Sequence, residues 1–166
     1  MEKPQKLRKM MTDLLPEFQS NPDKLQLYYS NGKMHATGGE SLSFEYEYDL
    51  EIYITEFNKS PDILLMIINN FIRDEQPELV RNTTRDGQIT FEVEPLNDES
   101  FDIFINLPLT ERVIVNQNDS NFTITHAPEP KLDDGLRNIK ITFSGPHEKE
   151  MTLSNQPDPA YEVKNE

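Results

Sequence analysis

Residues 43–57 read SFEYEYDLEIYITEF, and this stretch decides the fold. Phe44, Tyr46, Tyr48, Leu50, Ile52 and Ile54 fall on one side of an extended chain; Glu45, Glu47, Asp49 and Glu51 fall on the other. Successive side chains of a strand point to opposite faces, so the alternation predicts a strand with one buried face and one face of carboxylates. At about 3.3 Å per residue it is longer than the usual strand of about five or six residues.

The apolar face needs cover. Residues 60–73, SPDILLMIINNFIR, predict a helix that supplies it. Ser60 suits the N-cap, Pro61 the first turn, and Asp62 the positive helix end. Ile63, Leu64, Ile67, Ile68, Phe71 and Ile72 form a wide apolar stripe, and Pro77 closes the segment. An earlier helix starts at Pro4 and carries Leu7, Met11, Leu14 and Phe18 at helical spacing, with Met10 and Leu15 beside them. Pro16 ends or kinks it.

Between these landmarks, residues 25–29 (LQLYY) and 34–37 (MHAT) flank Ser30-Asn31-Gly32-Lys33 and read as a hairpin closed by Asn-Gly. Further on, Ile89, Phe91 and Val93 alternate, as do Phe101, Ile103, Ile105 and Leu107; a bend is expected at Pro108, with a further strand at residues 112–115. NFTITH (121–126) and IKITF (139–143) read as two short strands around a turn-rich loop. Residues 144–166 are polar and proline-rich and read as a flexible acidic tail, leaving residues 1–143 as the folded domain. The order of elements predicts an α+β domain: a mostly antiparallel sheet with two helices packed on one face.

Net charge is -14, from 16 basic and 30 acidic residues, so phosphate backbones would repel the chain and sequence-specific nucleic-acid binding is not expected. The hydrophobic fraction is 35% and the mean hydropathy -0.70. There is no cysteine, hence no disulfide and no thiolate metal site. MEKPQKLRKMM has no apolar core after its basic residues and is not read as a secretory signal; the longest apolar run, residues 63–68, is too short to cross a membrane, and no membrane partner is expected. Without a secretion signal, the Asn-x-Ser/Thr triplets at Asn58, Asn82, Asn118 and Asn121 read as chance.

Motifs for chemistry are missing. His35, His126 and His147 lack partners at metal-ligand spacing. Asp133-Asp134-Gly135 does not continue as a calcium loop, and no phosphate loop, dinucleotide fingerprint or nucleophile elbow is present. No catalytic residue, metal or cofactor is expected. The row Glu45, Glu47, Asp49, Glu51 is the sharpest local feature. Same-face neighbours on a strand stand about 7 Å apart, too far for an adjacent pair to chelate an ion alone. The row reads either as a solvated face balanced by Lys or Arg on neighbouring strands, or as an intersubunit surface or charged channel wall; a catalytic pair would need a pocket above it. In LTER, residues 109–112, Glu111 and Arg112 lie on opposite faces of a strand, and an arginine fork suits a carboxylate-rich interface. Glu45, Glu47, Asp49, Glu51, Glu111 and Arg112 are therefore the candidate interface residues. Lys3, Lys6, Arg8 and Lys9 give the first helix a basic side, which is either plain soluble surface or a contact with the acidic face of a neighbouring copy.

Several segments taken together resemble the tail completion protein R (GpR) family of contractile-tailed temperate phages. They are Leu7-Arg8, Pro16, Asn21-Pro22-Asp23, Asn31-Gly32, Ser43-Phe44-Glu45-Tyr46, Gln76-Pro77 near a helix end, and Leu109-Thr110-Glu111-Arg112-Val113. Their order and spacing agree over residues 1–116. The resemblance implies a structural protein at the head-proximal end of the tail tube, which ends polymerisation and prepares the tail to join the head. By analogy with tail terminators it implies a subunit of a six-fold ring. The implied partners are further copies of the chain and the tail tube protein, with sheath, a second tail completion protein and head–neck proteins beyond them. The implied location is the virion tail, after assembly in the host bacterial cytoplasm. Two other readings compete. One is an acidic monomeric inhibitor or DNA mimic, marked by salt-dependent binding to a basic enzyme. The other is a small hydrolase with paired carboxylates, marked by a deep pocket and a raised carboxyl pKa.

Overall fold

The alternating stretch forms β2, Phe44–Phe57, in a computed structural model that describes residues 1–36, 38, 41–81, 89–97, 99–118, 121–130, 140–142 and 150–152. Its inward side chains are sealed: Leu50 and Ile52 have no exposed surface and Ile54 has 1%. The period slips once, at a bulge between Ile54 and Phe57 where Glu56 takes a positive φ of 50°. The extra residue returns Phe57 to the core, where its ring stacks on Phe18 at 6.3 Å.

β1, Leu25–Ala36, pairs antiparallel with β2 along its whole length. The expected Asn-Gly hairpin is corrected here. Asn31 does adopt a positive φ of 52°, but it serves a bulge between Ser30 and Lys33 rather than a chain reversal. β2 offers a continuous edge, and both halves of β1 gain more ladder by pairing with it than with each other.

β4, Ser100–Asn118, pairs with the other edge of β2, from Phe44 opposite Val113 to Phe57 opposite Phe101. The bend expected at Pro108 is absent; Pro108 lies inside the strand, opposite Asp49. β3, Thr90–Asn97, folds back on the first part of β4 and ends its pairing at Asn106; β5, Asn121–His126, covers the far part and starts at Val113. The sheet order is β1-β2-β4-β3, with β5 also on β4. Between β3 and β5, residues 107–112 of β4 therefore meet no strand on that edge among the described residues. The Thr110 N–H points into this gap, and Pro108, two residues back, faces the same way. A proline is tolerated there because no donor is required.

The helices lie on the inward face. α1, Lys3–Leu14, starts with Pro4 in its first turn and buries Leu7 and Met11. It ends before Pro16, so the chain turns Leu15, rather than Leu14, into the core. A short α2, Glu17–Ser20, and a 3-10 turn, Pro22–Lys24, lead to β1. α3, Pro61–Glu75, is capped by Ser60, whose hydroxyl accepts the Asp62 N–H at 3.3 Å. Ile63, Leu64, Ile67, Ile68, Phe71 and Ile72 are all buried. α4, Pro77–Arg81, follows directly. The expected α+β architecture with a mostly antiparallel sheet is what the chain adopts.

Contacts divide the chain into two units, Met1–Lys131 and Leu132–Glu166, a boundary earlier than the expected residue 143. In the second unit β6, Lys140–Thr142, pairs antiparallel with β7, Glu150–Thr152. β7 lies in the stretch read as a flexible tail, because three residues of ladder leave too little pattern to see in sequence. The rest of residues 144–166 lies outside the described residues.

Phe71 has no exposed surface at the centre of the α3 stripe. Phe71→Ala is expected to cost about 3–5 kcal/mol, the range for emptying an aromatic core site. A urea unfolding curve followed by circular dichroism measures it.

Candidate assembly surface and its buried anchor

The outward residues of β2 stand where the alternation puts them, on the sheet face that no described helix covers. Glu47 is bound by Lys33 of β1 at 2.8 Å, and the His35 Nε2 atom is 3.8 Å away. The Lys33 hydrogen bond and charge hold Glu47 below its usual pKa, and Glu47 raises Lys33 in return. Glu45 has His35 on one flank and Arg112 on the other, in register. Asp49 accepts the Asn31 amide at 2.8 Å, and Glu51 accepts the Tyr53 hydroxyl at 3.3 Å. The structure thus brings Glu45, Glu47, Asp49, Glu51 and Arg112 onto one exposed face, with cations from β1 and β4 gathered at the Glu45–Glu47 end.

Glu111 is placed elsewhere. Its register partner is Tyr46, so it points inward with the core, and it is only 3% exposed. Its carboxylate accepts the Tyr48 hydroxyl at 2.7 Å and the backbone N–H of Glu2 at 2.8 Å. The His126 Nδ1 atom lies 2.8 Å from the same oxygen, a close electrostatic contact without hydrogen-bond alignment. Burial alone would raise the pKa of Glu111; the Glu2 amide, the Tyr48 hydroxyl, the N-terminal charge and His126 outweigh it and hold the carboxyl low. Burial first, and Glu111 after it, push the hydroxyls of Tyr46 and Tyr48 up. Glu111 has almost no surface for a neighbour; it ties the start of α1 and the end of β5 to the sheet.

A second buried contact lies beside it. Gln76, 2% exposed, sits between α3 and α4. Its Oε1 accepts the Thr110 N–H at 3.1 Å, filling the gap in the β4 edge, and the Lys3 ammonium at 2.7 Å. Its Nε2 donates to Thr110 Oγ1 at 2.9 Å and to Glu78. Lys3, 4% exposed, also pairs with Glu129 at 2.7 Å. The basic side of α1 is thereby spent within the chain, for Lys6 pairs with Glu75 and Lys9 with Asp13. A cavity of about 160 Å³ lies here among Glu2, Lys3, Lys6, Glu75, Glu111 and Glu129, with His126 on its wall.

Sequence reasoning missed Gln76, Lys3 and His126 as structural polar groups. For Glu111 a signal existed. Ile103, Ile105, Leu107, Leu109, Glu111 and Val113 keep one parity straight through Pro108, which puts the glutamate in an apolar row. Ending the strand at Pro108 hid it.

The fold and this layout are those of a helix-backed sheet with one broad polar face, and the comparisons place it in a class. A family model described as P2 phage tail completion protein R (GpR) matches residues 1–130. The chain is 38% identical over 133 residues to Tail completion protein R of Escherichia phage P2, covering 78% of this chain and 84% of that protein. No solved structure matches. The chain belongs to the P2 phage tail completion protein R (GpR) family of structural phage tail proteins. The match runs past Asn116, through β5, to the loop in which Glu129 holds Lys3.

Glu111 titrates from below its ordinary value of 4.5 when folded, so its stabilisation is complete above that pH and fades as pH falls through the lowered value. Glu111→Gln removes this contribution. The variant is expected to be less stable than the parent at neutral pH, with the gap narrowing as pH falls below 4.5. Urea midpoints of both proteins, taken from about pH 7 to about pH 3, give the comparison.

Proposed function

We propose that this chain is a structural cap at the head-proximal end of a phage tail tube, where it ends polymerisation and prepares the tail to join the head. The match of the family across residues 1–130 carries the reading, since it spans the whole sheet together with the Glu111 and Gln76 contacts. By analogy with tail terminators, the working form is a six-fold ring seated on the last ring of the tube. Its neighbours are then further copies of the chain and the tube protein, with sheath, a second tail completion protein and head–neck proteins close by. The role is one of assembly, with no reaction catalysed. Assembly takes place in the host cytoplasm and the product resides in the virion tail.

Within this reading the exposed face of Glu45, Glu47, Asp49, Glu51 and Arg112 meets a neighbouring subunit, the tube, or passing DNA. A negative channel wall would keep DNA from sticking.

Light scattering behind size exclusion, on the protein alone and mixed with tail tubes from the same source, tests the role. A six-fold mass, or a monomer that adds a ring only at tube ends, is expected. A monomer that ignores tube ends would overturn the cap and favour an acidic inhibitor of a nucleic-acid enzyme. In the triple variant Glu45→Ser, Glu47→Ser, Asp49→Ser, weakened ring formation or altered tail length is the expected result. Normal rings, tail length and infectivity would make that face plain solvent-facing surface.

A further inference from the structure

The outer face of the sheet has two unlike halves. Lys33, His35 and Arg112 all stand at the Glu45–Glu47 end. At the other end Tyr53 lies opposite Phe104 of β4, with ring centroids 4.8 Å apart, and Tyr28 of β1 meets Tyr53 edge-on at 5.5 Å. These rings form one cluster across three strands, yet Tyr28 is 51% exposed and Tyr53 39%. Cross-strand aromatic pairs steady a sheet, so part of the cluster serves the fold. The exposed remainder is an apolar patch on a face that no described helix covers.

Carboxylates surround the rings. Glu51 is in register with Tyr28, Glu92 with Phe104, and Glu94 with Asp102. Like charges placed directly opposite on a ladder destabilise it, and Glu94 faces Asp102 in that way. Among the described residues, no outward position of β1 to β4 in this half is basic. Lys24, just before β1 at this end, is already engaged by Glu56, so acid crowded around open aromatic faces is complementary to a cation that can also stack.

We propose that the Tyr28–Tyr53–Phe104 patch, with Glu51, Glu92 and Asp102 around it, is a docking surface for an arginine-bearing surface of another protein. A guanidinium stacks flat on an aromatic ring while its fork pairs with a carboxylate, which a lysine ammonium does less well. A second copy of this chain is a poorer occupant: on this face, among the described residues, the arginine is Arg112, which stands in register with Glu45 of its own sheet. The chain carries a net charge of -14, and Lys3, Lys6, Lys9, Lys24, Lys33 and Lys59 are each paired with the chain's own carboxylates. The inference goes beyond the tail-cap reading and stands independently of it.

The test is a titration of the full ¹⁵N-labelled chain with hexa-arginine and, separately, with hexa-lysine, followed by amide shifts. Shifts centred on Tyr28, Tyr53, Glu92 and Phe104 are expected, with hexa-lysine binding about threefold more weakly, the scale of an exposed cation–π contact. Phe104→Ser and Glu92→Lys are each expected to weaken hexa-arginine by about fivefold or more. Glu92 is an exposed residue of an edge strand, so that variant keeps the test alive if Phe104→Ser unfolds. Shifts spread evenly over the acidic surface, equal affinity for both peptides, no binding, or unchanged affinity in a folded variant would overturn the proposal. None of these results depends on tail tubes, so a failure here is distinct from a failure of the cap.

Discussion

Strand β4 has more backbone to satisfy than its neighbours supply. β2 covers one edge, but among the described residues β3 and β5 leave residues 107–111 without a strand on the other, and the Arg112 carbonyl is taken by the Ala127 N–H. A buried N–H without a partner costs free energy comparable to a lost hydrogen bond. The chain meets that demand in two ways. Pro108 has no donor to satisfy, and the Thr110 N–H is taken by the Gln76 side chain. Gln76 can reach because α3 ends there and α4 begins one residue later. The junction between the two helices is thus fixed by a gap in the sheet.

The same gap organises the N-terminus. Lys3 donates to Gln76, and Glu111 accepts the Glu2 amide, so the first turn of α1 is held by two buried polar contacts to β4 and the α3–α4 junction. Buried charges are stable only when paired and hydrogen-bonded, and both are: Lys3 by Gln76 and Glu129, Glu111 by Glu2 and Tyr48 with His126 close by. Three parts of the chain far apart in sequence meet there: the first residues, the α3–α4 junction and the loop after β5. The family match ends at residue 130, just past the last of these contacts.

An assembly subunit benefits from this division of labour. Polar groups that specify the fold face inward and are consumed. Those left outside, on the wet face of β2 and its neighbours, pair with one another at the surface and stay within reach of solvent. Rigid strands hold that face, so a contact formed there loses little conformational entropy.

Much of this was legible in the residues. The period of two in residues 43–57 determined a strand and its two faces, and the stripe from Ile63 to Ile72 determined the helix that covers one of them. The combination of short segments determined the family. Tertiary structure decided the rest. Asn31-Gly32 permits either a hairpin or a bulge, and the free edge of β2 selected the bulge. Pro108 reads as a break until the strand on one side is known to have no neighbour on the other. Glu111 carries the same charge as Glu45, and only the arrival of Tyr48, Glu2 and His126 made burial affordable for one and left the other in water. Local pattern records which way a side chain points; what waits for it there depends on residues far away in the chain.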